Sequence, residues 1–209
     1  MEFKIENTRV YGMVKSIIAS GNAMRTIIED NNKTTFKEND FKRACNLGST
    51  KCGEGHDNFL NGIVVQFDLY APLFMWKQLQ RYHFLDFISS QSTMHRLTKF
   101  NVAECCVGDT DKVILERYQY LLDNYNSFET RYGSTSDIAY KAELKNKEWR
   151  TLVASLPCGF VLGATMTTNF RQLKTMYHQR KNHKLKEWHD FCKWCESLPY
   201  FKELCLGGN

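Results

Sequence analysis

Apolar side chains at Val10, Met13, Val14, Ile17 and Ile18 recur at helical spacing, and Gly21 stands where a C-terminal cap falls. The chain therefore opens, by this pattern, with a short amphipathic helix. The polar run 30–35 reads as a loop, and 38–47 predicts a second helix. Gly48, Gly53 and Gly55 punctuate a flexible segment ending at His56. Residues 62–70 are β-branched and aromatic with partial alternation, which predicts a strand. Pro72 suits the first turn of a helix reaching about Tyr82. A second strand is expected over 100–107, closed by Gly108. Val113, Leu115, Tyr118, Leu121, Leu122 and Tyr125 mark a long amphipathic helix over 112–128. Ile138, Ala142, Trp149 and Leu152 mark another over 135–155. Leu156-Pro157 ends it, because the residue before proline disfavours the helical region. Thr167 or Thr168 suits the N-cap of a helix to Arg180, and a last helix is expected over 185–198, ahead of Pro199. With no internal repeat, the pattern predicts an α/β (α+β) chain, helix-rich around a small sheet, forming one domain over 1–209.

Composition narrows the class. A chain of 209 residues, 43% apolar and 24% charged, can bury a substantial core. No window approaches an apolar membrane span, and residues 1–6 carry no secretory pattern, so a cytoplasmic setting is expected. The net charge of +5 gathers between Arg171 and Lys193. A pI near 8.7 is low for a nucleic-acid module; solvated lysines and a small anionic ligand suit it better. The eight cysteines read as reduced, mainly structural thiols. Cys192-Lys-Trp-Cys195, with His189 nearby, lacks the second ligand pair that zinc wants.

The densest chemistry lies in residues 78–96. Arg81, His83, His95 and Arg96 are joined there by three amides and five hydroxyls within nineteen residues. Guanidinium forks pair with phosphate or carboxylate, and hydroxyls complete the shell around an anion. This stretch reads as one wall of a site for a phosphorylated, nucleotide-like ligand. Arg171 and Arg180 are nine residues apart on one expected helix, about two and a half turns, so they point to different sides. The same helix can then serve two ligands, its N-terminus favouring an anion. Each of these arginines also has a plain alternative as a surface salt bridge, and Asn169 as a helix cap. Trp76, Tyr82, Tyr177 and Trp188 can stack on a ring system or simply fill the core.

In order and spacing these parts resemble the flavin-dependent thymidylate synthases. The chain carries Gly55-His56 with Asn58, then Ala71-Pro72, Gln78 and Arg81-Tyr82-His83. Leu156-Pro157, the run Thr167-Thr168-Asn169-Phe170-Arg171-Gln172-Leu173, Arg180 and Glu187-Trp188 follow. The likeness covers roughly 55–190. It implies a small, mostly antiparallel sheet and a homotetramer with FAD between subunits. It further implies transfer of a one-carbon unit from methylene-tetrahydrofolate to a pyrimidine deoxynucleotide (dUMP), NADPH reducing the flavin. By position, His56, Asn58, Arg81, His83, Ser89, Asn169 and Arg171 take flavin-binding roles. Gln78, Gln91, Ser92, Arg96 and Arg180 face the nucleotide, Arg96 and Arg180 nearest the chemistry.

The departures fall mostly on the nucleotide side. The family motif R-H-R-x-x-S-x-N-E-x-S-x-R reads Tyr82 for its central His and His83 for its next Arg. The spacing from Arg81 to Arg96 is about three residues longer. Anchored at Arg96, a carboxylate becomes Ser92 and a hydroxyl becomes Met94. An arginine expected against the nucleotide phosphate falls at about Gly163, with Lys174 or a neighbouring chain's lysine available to compensate. Two readings follow: a divergent enzyme, compact enough for a phage or mobile element, or a protein on the same fold that sequesters a nucleotide or nucleotide-derived signal without chemistry.

Overall fold

The computed structural model describes residues 1–28 and 33–208. The start of the loop expected over 30–35 lies outside them. Four strands form one antiparallel sheet in the order β1 (Lys4–Tyr11), β2 (Val64–Pro72), β4 (Val161–Asn169), β3 (Asp86–Ser90). The helices are α1 (Met13–Ala19), α2 (Glu38–Gly48), α3 (Leu73–Leu79), α4 (Thr93–Arg96), α5 (Val102–Cys105) and α6 (Lys112–Asn126). They continue with α7 (Phe128–Tyr132), α8 (Ile138–Ala154), α9 (Phe170–Arg180), α10 (Lys186–Ser197) and α11 (Phe201–Cys205). Among the described residues, no helix is long and apolar enough to cross a membrane.

The chain weaves between two compact units. One comprises Met1–Phe3, Tyr70–Gln78 and Ser90–Ala164. Its core gathers Leu97, Val102, Cys106, Tyr118, Leu122, Leu152 and Phe160. Here α6 and α8 pack together through Tyr118, Leu122 and Leu152, while Val113, Ile138 and Ala142 of the expected apolar stripes stay exposed. The other unit comprises Lys4–Leu69, Leu79–Ser89 and Thr165–Asn209. From Val64 to Ala71 strand β2 alternates between half-buried and buried positions, as a strand with one covered face does. Phe67 lies 4.6 Å from the Trp194 ring of α10, and Phe170 of α9 packs edge-on to Phe201 of α11. A Cβ on Gly48 would meet the Leu204 carbonyl oxygen at 2.1 Å, so α2 ends against α11 at a distance only glycine permits.

Several expectations are corrected. Val10 belongs to β1, and the first helix begins only at Met13. Residues 100–107 hold α5 and one isolated antiparallel bridge from Cys106 to Phe160, not a strand. Asn101 accepts from the Glu104 amide there, and a capped turn outcompetes the ladder. Pro72 closes β2, and α3 stops at Leu79. Thr167 and Thr168 lie inside β4, and the cap of α9 is Asn169.

Candidate functional site

Asp57 organises a polar recess. It sits just before the 3-10 turn Asn58–Gly62 and is 2% exposed. A carboxylate so buried needs partners. Arg171 Nε donates to Oδ1 at 3.0 Å, and Lys174 Nζ donates to Oδ2 at 2.8 Å. Lys174, 1% exposed, also donates to the Thr50 carbonyl at 2.5 Å. The first turns of α9 are thereby bound to the 50–57 segment by three charge-assisted bonds. Lys174 is thus spent inside the fold and is not the stand-in for the arginine missing at position 163.

A cavity of about 160 Å³ opens beside this node. Arg171, Asn169, Gln172 and Thr175 of the β4–α9 junction line it, with Cys52, Gly53, Asp57, Asn61 and Phe84. Asn169 Oδ1 accepts from the Gln172 amide at 2.9 Å. The cap fixes the side chain at the mouth and leaves its NH₂ free to donate. Phe84 adopts φ 62°, unusual for a bulky residue, and stays 67% exposed while its ring lines the recess. The recess offers one guanidinium, three carboxamides, a hydroxyl and an aromatic wall, a donor set that suits a phosphate group with a ring beside it.

Arg180 faces the other side of α9, as its spacing from Arg171 requires. Its Nε donates to the Tyr82 hydroxyl at 2.6 Å, and its guanidinium lies 4.6 Å over the Trp188 ring. Tyr82 in turn donates to Gln179 at 3.0 Å. The tyrosine at the position where the resemblance expects histidine therefore aims Arg180 by a hydrogen bond and a ring contact.

In the other unit, Gln91 pairs twice with Gly163. Its backbone N–H donates to the Gly163 carbonyl at 2.9 Å, and its side-chain oxygen accepts from the Gly163 amide at 2.8 Å. A Cβ on Gly163 would lie 2.8 Å from Tyr70 Cε1 and 3.2 Å from Gln91 Oε1. The space an arginine would use is filled. Ser92 caps α4 by accepting from the His95 amide at 3.2 Å. Gln78 is half-buried at the end of α3.

The structure brings Asn169 and Arg171 together in one recess, Arg180 onto Tyr82, and Gln91 onto Gly163. It leaves His56, Asn58, Arg81, His83, Ser89 and Arg96 exposed. Sequence reasoning missed Asp57, Cys52, Asn61, Phe84 and Gln172 as lining residues. Asp57 had the one available signal, lying between His56 and Asn58. Trp76 is core, 4% exposed, its Nε1 donating to the Leu162 carbonyl.

The small antiparallel sheet within a helix-rich chain matches the flavin-dependent thymidylate synthase fold. The structure of ThyX from Helicobacter pylori complexed with FAD and dUMP matches over 98% of this chain and 98% of that one, with a TM-score of 0.60 and 16% identity. A second H. pylori ThyX structure with FAD and dUMP gives 0.62 and 15% over 98% and 97%. The UMP/dUMP methylase PolB from Streptomyces cacaoi, bound with 5-Br dUMP, gives 0.60 and 13% over 99% and 95%. No family model matches the chain, and no curated protein matches its sequence. At this identity the likeness establishes the fold, from end to end.

Proposed function

We propose that this chain is a divergent FAD-dependent enzyme that binds a pyrimidine deoxynucleotide, dUMP, and methylates it with a one-carbon unit from methylene-tetrahydrofolate. The observation that carries this reading is the recess at the start of α9, where Arg171 is held by Asp57 beside Asn169, Asn61, Gln172 and Phe84. These residues fit the diphosphate end of FAD: Arg171 takes an oxyanion edge, the carboxamides complete the shell, and Phe84 lies against a ring. FAD, reduced by NADPH, supplies hydride when bound; the chain's share is placement and electrostatics. At about 160 Å³ the recess is smaller than the roughly 300 to 1,000 Å³ of ordinary ligand sites. It holds a fragment of a dinucleotide, which supports a homotetramer whose second copy covers the rest. Exposed Arg81, His83, His56 and Asn58 are then free for a ligand or that neighbour. On the other side of α9, Arg180 is aimed by Tyr82, and Gln78, Gln91, Ser92 and Arg96 supply polar groups for the nucleotide.

The test is chemical. The purified protein is expected to be yellow and to release FAD on denaturation, identified by mass. Incubation with dUMP, methylene-tetrahydrofolate and NADPH is expected to yield dTMP above a heat-killed control. A colourless protein that ignores added FAD removes the proposal.

A second reading, sequestration of a nucleotide without chemistry, is favoured by one observation: the closure of position 163 by Tyr70 and Gln91. Detectable dTMP eliminates it. Retained nucleotide with no product under the same conditions supports it.

A further inference from the structure

Asp57 does more than balance charge. A guanidinium has five N–H donors in a rigid plane, so fixing Nε fixes where the terminal nitrogens face. Asp57 Oδ1 takes Nε at 3.0 Å, while the Arg171 side chain remains 35% exposed and lines the recess. The other carboxylate oxygen is committed to Lys174, which is 1% exposed and absent from the cavity wall. Asp57 thus cancels the buried ammonium and leaves the terminal guanidinium nitrogens, and a single net positive charge, for whatever enters. It also sets the geometry of two further walls. The turn beginning one residue later supplies Asn61, and the Thr50 carbonyl bound by Lys174 lies two residues before Cys52.

We propose that Asp57 is a positioning residue for the phosphate seat: it orients the Arg171 guanidinium toward the recess and tunes the site to one oxyanion edge of a nucleotide diphosphate. This rests on the reading that the recess takes a phosphate. The ligand class follows from the balance of charge. A lone guanidinium with neutral carboxamides suits the singly charged phosphates of a diphosphate bridge better than a doubly charged terminal phosphate, which calls for a second cation.

Asp57→Asn alone would leave Lys174 buried against a neutral amide and threaten the fold. The test therefore uses Lys174→Met as background, replacing the buried ammonium by an apolar chain of similar length. FAD and inorganic pyrophosphate are titrated by calorimetry, and melting temperature is recorded for each variant. Lys174→Met is expected to bind both probes a few-fold more weakly than the unaltered chain, because the Asp57 carboxylate left behind then offsets the Arg171 charge. Adding Asp57→Asn is expected to weaken both by between about ten- and a hundredfold, the range for a misdirected charged hydrogen bond, with little change in melting temperature. Arg171→Lys, which keeps the charge and loses the fork, is expected to match it. Combining the two is expected to weaken binding no further, because both remove one device.

Full additivity of the two changes, or unaltered binding in Asp57→Asn/Lys174→Met, overturns the positioning role while leaving the phosphate reading intact. If the unaltered chain binds neither probe, the phosphate reading falls and this inference falls with it.

Discussion

Arg180 and Tyr82 show how one exchanged side chain recasts its neighbour. The Tyr82 hydroxyl accepts from Arg180 Nε and donates to Gln179, so its removal takes one hydrogen bond from each. Tyr82→Phe is expected to destabilise the fold by about 1 kcal/mol in denaturant titration and to weaken nucleotide binding more than flavin binding. Arg180→Ala is expected to spare flavin and hurt the nucleotide, and Arg171→Ala the reverse. Equal effects on both ligands would contradict a two-sided α9. At Gly163 any Cβ presses on the Tyr70 ring. Gly163→Ala is expected to lower stability by about 1 to 3 kcal/mol, as overpacking does, checked by thermal unfolding. Asp68 responds to acid: hydrogen bonds from Asn7 and Thr165 hold its carboxyl below the usual aspartate range. A depressed folded pKa gives stability that is full above the unfolded pKa and fades as pH falls through the folded one. Asp68→Asn is therefore expected to flatten the acid limb of a stability–pH curve and change its slope little near neutrality.

At the scale of elements, the long amphipathic helices were the legible part. The helices expected over 112–128, 135–155 and 185–198 appear as α6, α8 and α10, with ends within three residues of those bounds. The strands were not. Sheet neighbours flank β4 on both edges, the buried pair Gly163–Ala164 interrupts its alternation, and its half-buried positions include Thr165, Thr167 and Asn169. Its Thr-rich end therefore imitated a helix start. Strand β3 is exposed along its length, so no apolar alternation marked it. The arginines of the candidate site were legible because α9 is a helix and spacing decides which side each faces. The carboxylate that aims one of them was not, since a buried aspartate in a turn carries no period. The boundary of α9 is itself testable. Asn169→Ala removes the cap on the Gln172 amide and is expected to cost about 1 kcal/mol, together with weaker flavin retention because the same side chain lines the recess.

For the whole molecule, the likeness to solved structures spans nearly the entire chain at 13–16% identity. A fold can persist at that distance because buried volume and patterning tolerate wide exchange, while a site depends on particular side chains. Five motifs in a consistent order revealed the architecture; the plug at Gly163 emerged only when distant segments were folded together. The recess is too small for a complete dinucleotide, so under the proposed function the protein is expected to elute as a tetramer on size exclusion. A monomer that retains FAD would break the link between assembly and cofactor.

The seclusion of Lys174 has a practical corollary. An amine-acylating reagent should modify the exposed lysines of the native protein while sparing this one, whose nitrogen is sealed between a carboxylate and a main-chain oxygen. Peptide mapping of labelled material would then give a site-resolved clock for local opening of the α9 junction, and a bound anion that clamps this corner should slow it.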